Sequence, residues 1–139
     1  MKHLPKHLRP RWRYLAVGLE SWPDATVERG PFQREVWYAA QNLLGDPGSA
    51  AADLSVLAFA FADGEGEAVV RARHDHVDQA RAALACVDSV AGHPLAVHVR
   101  GVSGTVRACE ERYLGRATGP SEERHVVFED QRRPAVARG

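Results

Sequence analysis

A chain of 139 residues with 18 basic and 18 acidic side chains is enough sequence for one hydrophobic core and too short for two. Two cysteines, both on apolar stripes, exclude a disulfide-stapled secreted fold, and the absence of a long apolar window excludes a membrane span and a membrane partner; a soluble, cytoplasmic protein is expected. The formal net charge of zero conceals an uneven distribution, because residues 1–14 sum to +5, residues 15–69 to −7 and residues 70–139 to +2. Lys2, Lys6, Arg9, Arg11 and Arg13 supply the first of these sums, and such a concentration of like charge is either a solvated, partly disordered N-terminus or one offset by a polyanion such as nucleic acid.

In chain order, residues 1–10 read as a basic N-terminal extension. From Arg11 to Glu20 the residues alternate as a strand does, with Leu15, Val17 and Leu19 on one face and Trp12, Tyr14 and Ala16 on the other. Gly30-Pro31 opens a helix with Phe32, Val36, Ala39 and Leu43 on its apolar side, and Gly45 ends it. Asp53 to Phe61 is a second strand, Asp63-Gly64-Glu65-Gly66 a turn, and Glu67 to Arg73 a third strand, which together make a hairpin. Asp75 is placed to cap a second helix, whose Val77, Ala80, Leu84, Val87 and Ala91 keep a helical period as far as Gly92. Leu95 to Val102 forms a fourth strand, and Ser103 or Thr105 caps a last helix that buries Val106, Cys109 and Tyr113 and stops at Gly115. After that the periodicity is lost, so residues 117–139 are expected to be a disordered tail.

The order βαββαβ plus an additional C-terminal helix is the split βαβ pattern. It predicts an α+β, ferredoxin-like sandwich over residues 11–116, also called RRM-like, with two helices on one face of a four-stranded antiparallel sheet. The opposite face is then free for another purpose. Arg71 and Arg73 on the third strand, and His98 and Arg100 on the fourth, fall on that face with Trp12 and Tyr14. Rings beside guanidiniums on an open sheet suit RNA. The third strand nevertheless lacks the glycine and aromatics of a base-stacking RNA-recognition motif, so readout of that type is not expected.

Catalytic patterns are weak. His74-Asp75-His76 has no third ligand at a useful spacing, and His3 and His7 have no better claim to a metal. Gly64-Glu65-Gly66 is too acidic to cradle phosphate, Cys109 has no neighbouring His base, and Glu110 and Glu111 point to different sides of their helix. The Ser103-Gly104-Thr105 helix start, with Arg107 one turn in, is either a plain cap or an anion site, and the plain cap is preferred.

The opening Leu4-Pro5-Lys6-His7-Leu8-Arg9 with Arg11-Trp12-Arg13-Tyr14-Leu15, the Val70-Arg71-Ala72-Arg73 strand, and Ser103-Gly104-Thr105-Val106-Arg107-Ala108-Cys109 with Tyr113-Leu114 carry a resemblance. Together, over about residues 4–115, they resemble the second protein component family of archaeal ribonuclease P and its eukaryotic counterpart. The resemblance implies a ferredoxin-like subunit with no active site of its own, supporting an RNA enzyme that removes the 5′ leader from precursor tRNA. It implies that the chemistry and its Mg²⁺ belong to the RNA subunit, and that no cofactor is bound by the protein itself. The implied partners are ribonuclease P RNA, precursor tRNA and a TIM-barrel-like protein component 3, with a homodimer of this subunit inside a heterotetramer. RNA contacts are expected at Lys2, Lys6, Arg9, Arg11 and Arg13, then at Arg71, Arg73, Arg100 and Arg107. Phe32, Trp37 and Tyr113 are candidates for either protein interfaces or core. The alternative is a small-molecule-binding ferredoxin-like regulatory domain, for which the loop Ser21-Trp22-Pro23-Asp24 is a poor match.

Overall fold

The computed structural model describes residues 11–115. The extension at 1–10, with Lys2, Lys6 and Arg9, and the tail at 117–139 lie outside the described residues. Nine elements follow in order: β1 (Trp12–Glu20), α1 (Arg29–Ala52), β2 (Ser55–Ala62), β3 (Glu65–Arg73), α2 (Val77–Ala85), β4 (Ser89–Val90), β5 (His93–Pro94), β6 (Ala96–Ser103) and α3 (Val106–Tyr113). A four-stranded sheet has the order β2-β3-β1-β6 with antiparallel pairing throughout, which is the ferredoxin-like arrangement expected from the sequence.

Strand alternation sorts the sheet into two faces. Leu15, Val17 and Leu19 of β1, Val56 of β2 and Ala68, Val70 and Ala72 of β3 pack under Phe32, Val36 and Ala40 of α1 and Ala80, Ala83 and Leu84 of α2, forming the main core. Phe32 is completely buried and tilts against Phe59 with ring centroids 5.6 Å apart, so it belongs to this core.

Several boundaries differ from the sequence reading. Helix α1 runs on past Gly45, which interrupts it with non-helical dihedrals (φ 77°, ψ 172°) before Pro47 resumes it. Its buried stripe turns through Ala40, leaving Leu43 exposed. Helix α2 stops at Ala85. The Val87–Gly92 stretch that continues its period instead enters a small β4–β5 hairpin turning at Ala91-Gly92, and Cys86 is exposed, off any apolar stripe. Asp75 sits in a 3₁₀ turn (His74–His76) and makes no side-chain cap on α2; its carboxylate meets the ring of His76 instead, at 2.8 Å. The hairpin turn is tighter than expected, with β3 beginning at Glu65.

The face opposite α1 and α2 is not left open. Helix α3 lies across its middle, and Ala16, Val69, Cys109 and Leu114 form a second buried cluster with Tyr14, Ala58 and Tyr113 around it. Two features fit the helix to the sheet. The strand row under it is built from small residues, Ala58, Val69, Ala16 and Gly101, in register across β2, β3, β1 and β6. The Tyr113 ring also occupies the space a side chain at Gly101 would fill. Thr105 Oγ1 accepts from Ala108 N at 3.1 Å, so the helix start is the capped turn preferred from the sequence.

Candidate nucleic-acid interface

The outer face is graded in charge, and pairing register sets the gradient. Arg73 opposes Trp12 and Arg71 opposes Tyr14 at one end; Glu67 opposes Gly18 further along; Glu65 opposes Glu20 at the far end. The α3-covered cluster separates the cationic end from the acidic end.

At the cationic end, the guanidinium carbon of Arg71 lies 3.9 Å from the centre of the Trp12 ring and that of Arg73 lies 4.5 Å from it. Both are cation–π distances. Arg73 also faces Asp53 at 3.7 Å, a loose pair between partly exposed groups that solvent screens. Arg13 donates from Nη1 to the Trp12 carbonyl at 3.0 Å, and the Arg11 carbonyl accepts from His74 N at 3.0 Å, which ties the start of β1 to the end of β3. Four of the expected RNA-contact residues, Arg11, Arg13, Arg71 and Arg73, are therefore brought to one end of the sheet.

Arg100 and Arg107 are placed differently. A bulge between Ala16 and Val17 in the β1–β6 pairing leaves Arg100 as the extra residue, and its side chain crosses above Gly18 toward β3. There Nη1 donates to Glu67 Oε2 at 2.6 Å and to the Tyr113 carbonyl at 3.3 Å. Glu67 is wholly buried and also accepts from Gly115 N at 3.3 Å. This cluster ties α3's C-terminal end to the sheet. Arg107 is exposed and pairs with Glu111 one turn on at 2.9 Å, which raises its pKa, while His98 lies exposed beside Arg100 over Gly18. The Glu67 partner was missed in the sequence reading, although an acidic residue two positions before Val69, on the same face of the strand as Arg71, was the available signal.

Other reactive groups are quiet. Burial, with the negative charge of Glu110 added, pushes the Cys109 thiol up to about 11, while the His76 hydrogen bond lowers the Asp75 carboxyl. No group of three His, Cys, Asp or Glu side chains is placed to hold a metal ion among the described residues. Nor is any helix among them long and apolar enough to cross a membrane. Of the three residues considered for protein contacts, Phe32 is core, Tyr113 packs over Gly101 against the second cluster, and Trp37 is about half exposed while donating to the Leu54 carbonyl. Tyr38 and Leu43 extend the exposed apolar surface of α1 beside Trp37.

Fold and surface together define a small ferredoxin-like α+β domain with a third helix on its outer face and a cationic sheet end. The Rpp14/Pop5 family profile matches residues 13–114, and the chain belongs to this family. It is 67% identical to "Ribonuclease P protein component 2" of Halorubrum lacusprofundi across 99% of the chain and 87% of that protein. The protein of the same name from Halobacterium salinarum is 60% identical across the whole chain and 85% of its own length, and that of Methanosarcina mazei 38% identical across 82% and 93%. Among solved structures, a chain in the cryo-EM structure of yeast Ribonuclease MRP shares the fold at a TM-score of 0.53, with 14% identity, covering 89% of this chain and 90% of that one.

Proposed function

We propose that the chain is a protein subunit of ribonuclease P, supporting the RNA that removes the 5′ leader from precursor tRNA. The carrying observation is family membership over residues 13–114, together with 67% identity along 99% of the chain to a protein named as ribonuclease P component 2. The small-molecule reading has no comparable support. In this role the protein contributes no catalytic group: the bond-breaking chemistry and its Mg²⁺ belong to the RNA. The chain's own contribution is cationic scaffolding, with Lys2, Lys6, Arg9, Arg11 and Arg13 lowering the repulsion between RNA phosphates that the active fold brings together. Its protein partner is the TIM-barrel-like component 3, in a heterotetramer built on a dimer of this subunit in the cytoplasm, and the exposed Trp37–Tyr38–Leu43 surface of α1 is the apolar area available for such contacts.

Reconstitution tests this reading. The purified chain with its partner protein, added to ribonuclease P RNA, is expected to stimulate precursor-tRNA cleavage at low Mg²⁺, where the RNA alone is poorly folded. A verified folded pair that leaves cleavage unchanged would remove it. Replacing Arg9, Arg11 and Arg13 together by Ala should weaken RNA binding and flatten its salt dependence by about one unit of slope per lost phosphate contact.

A further inference from the structure

We infer that Arg71 and Arg73, held against the Trp12 ring, form a clamp for the phosphodiester backbone of RNA, with Trp12 as the positioning residue. This rests on the RNA-binding reading above and adds to it a defined site and a mode of contact.

Three observations carry the inference. First, Arg71 has no carboxylate partner among the described residues, and Arg73 has only the loose, partly exposed Asp53 at 3.7 Å, whereas Arg100 and Arg107 are engaged by Glu67 and Glu111. Two guanidiniums left nearly uncompensated on one ring repel each other, and a bridging anion relieves that repulsion. Second, the Nε atoms of both arginines are enclosed and without a hydrogen-bond partner, so the terminal amino groups are the donors left to meet a ligand. Paired terminal N–H groups match two oxygens of a phosphate. Third, the ring that would otherwise stack on a base already packs against both guanidiniums, and α3 buries the middle of the same face. With the ring engaged in this way, the terminal N–H groups are what the site offers, and they suit a backbone phosphate better than a stacked nucleobase. Arg11 and Arg13 stand at the same end of the sheet, at the positions that alternate with Trp12, so positive charge flanks this site, which favours a ligand of high linear charge density over a single small anion.

The test is binding of the full-length chain to ribonuclease P RNA over a series of salt concentrations, for the variants Arg71→Gln, Arg73→Gln, Arg71→Lys and Trp12→Leu, with thermal melting to confirm that each is folded. Arg71→Gln is expected to weaken binding about tenfold and to lower the salt slope by about one, and Arg73→Gln to do the same. Arg71→Lys should keep the slope but lose affinity, because a point charge keeps the counterion effect without the fork. Trp12→Leu changes no charge, yet it should cost affinity, and the loss should largely vanish in the Arg71→Gln background. Additive losses would mean that Trp12 touches RNA independently of the arginines and would overturn the positioning role. Wild-type affinity and slope in both Gln variants, with weakened binding when Arg9, Arg11 and Arg13 are replaced, would overturn the clamp and leave the subunit reading intact; no salt-dependent RNA binding by the wild-type chain would overturn both. Millimolar inorganic phosphate or an acidic peptide, added as competitor, should leave RNA binding unchanged beyond the effect of its ionic strength. Competition by either, abolished in Arg71→Gln, would assign the site to a small anion or a carboxylate ligand instead.

Discussion

At the scale of single residues, the outer face owes its shape to one buried carboxylate. Glu67 is wholly enclosed, and the Arg100 guanidinium, reaching across Gly18, is what makes a charge tolerable there. Removing one partner of such a pair leaves an uncompensated buried charge, so Arg100→Met is expected to destabilise the fold by about 3–5 kcal/mol in denaturant unfolding. The double variant Glu67→Leu with Arg100→Met should recover most of that loss, since two apolar side chains need no desolvation penalty repaid. Cys109 gives a pH-dependent counterpart. Burial raises its thiol from an ordinary 9.0 to about 11, so between those values the unfolded chain releases a proton that the folded one keeps. The stabilisation from this group is complete below pH 9 and is lost as the pH climbs toward 11. Cys109→Ala should therefore show a flatter decline in stability over that window than the wild-type chain, measured by melting temperature. With native protein near neutral pH, a thiol reagent should label exposed Cys86 quickly and Cys109 only on unfolding.

At the scale of elements, helix α1 shows both what a sequence displays and what it hides. Gly45 takes a conformation (φ 77°, ψ 172°) that is essentially restricted to glycine, so Gly45→Ala should cost about 1–3 kcal/mol, detectable as a lowered unfolding midpoint. The sequence reading located this break and took it for the helix end, because glycine after an apolar stripe is the commonest stop signal. The residues that restart the helix, with Pro47 just past the break, carry no apolar stripe in the sequence that would announce a second helical segment. The same ambiguity hid the β4–β5 hairpin. Val87 and Ala91 fit the period of α2 by spacing alone, while the chain at Cys86 has already left the helix and turns back at Ala91-Gly92. Strand alternation was more informative, since a shift of one residue would move every buried side chain of β1 to the other face. That is why the alternation alone puts Leu15, Val17 and Leu19 on the core face and Trp12, Arg71 and Arg73 together on the other, as the structure has them. Two relations were not legible: the bulge that aims Arg100 at Glu67, and the packing of α3 over the small-residue row. Both depend on contacts between strands and a helix that lie far apart in the chain.

At the scale of the whole molecule, the arrangement determines which kind of RNA contact the domain can make. A four-stranded sheet with aromatic and basic residues on its free face ordinarily invites single-stranded bases to stack on it. Here the middle of that face is sealed by Cys109, Tyr113 and Leu114, the aromatic ring at its basic end packs against two guanidiniums, and the far end carries Glu20 and Glu65. Binding should therefore depend on charge and shape and be nearly indifferent to base identity. The four cations at the sheet end, if each meets one phosphate, contribute about −3.6 to the slope of log affinity against log salt, so through them alone a fourfold rise in salt should weaken binding roughly a hundredfold. Compensated base-pair exchanges in the bound RNA helices, which preserve shape while changing sequence, should alter affinity by less than about threefold, because each base read directly would otherwise contribute roughly 1–3 kcal/mol of discrimination. Filter binding or fluorescence anisotropy at several salt concentrations measures both quantities on the same samples. A shallow slope combined with strong sensitivity to such exchanges would mean that bases reach the protein through some other surface, and the sealed sheet would then have to be set aside as the RNA-facing side.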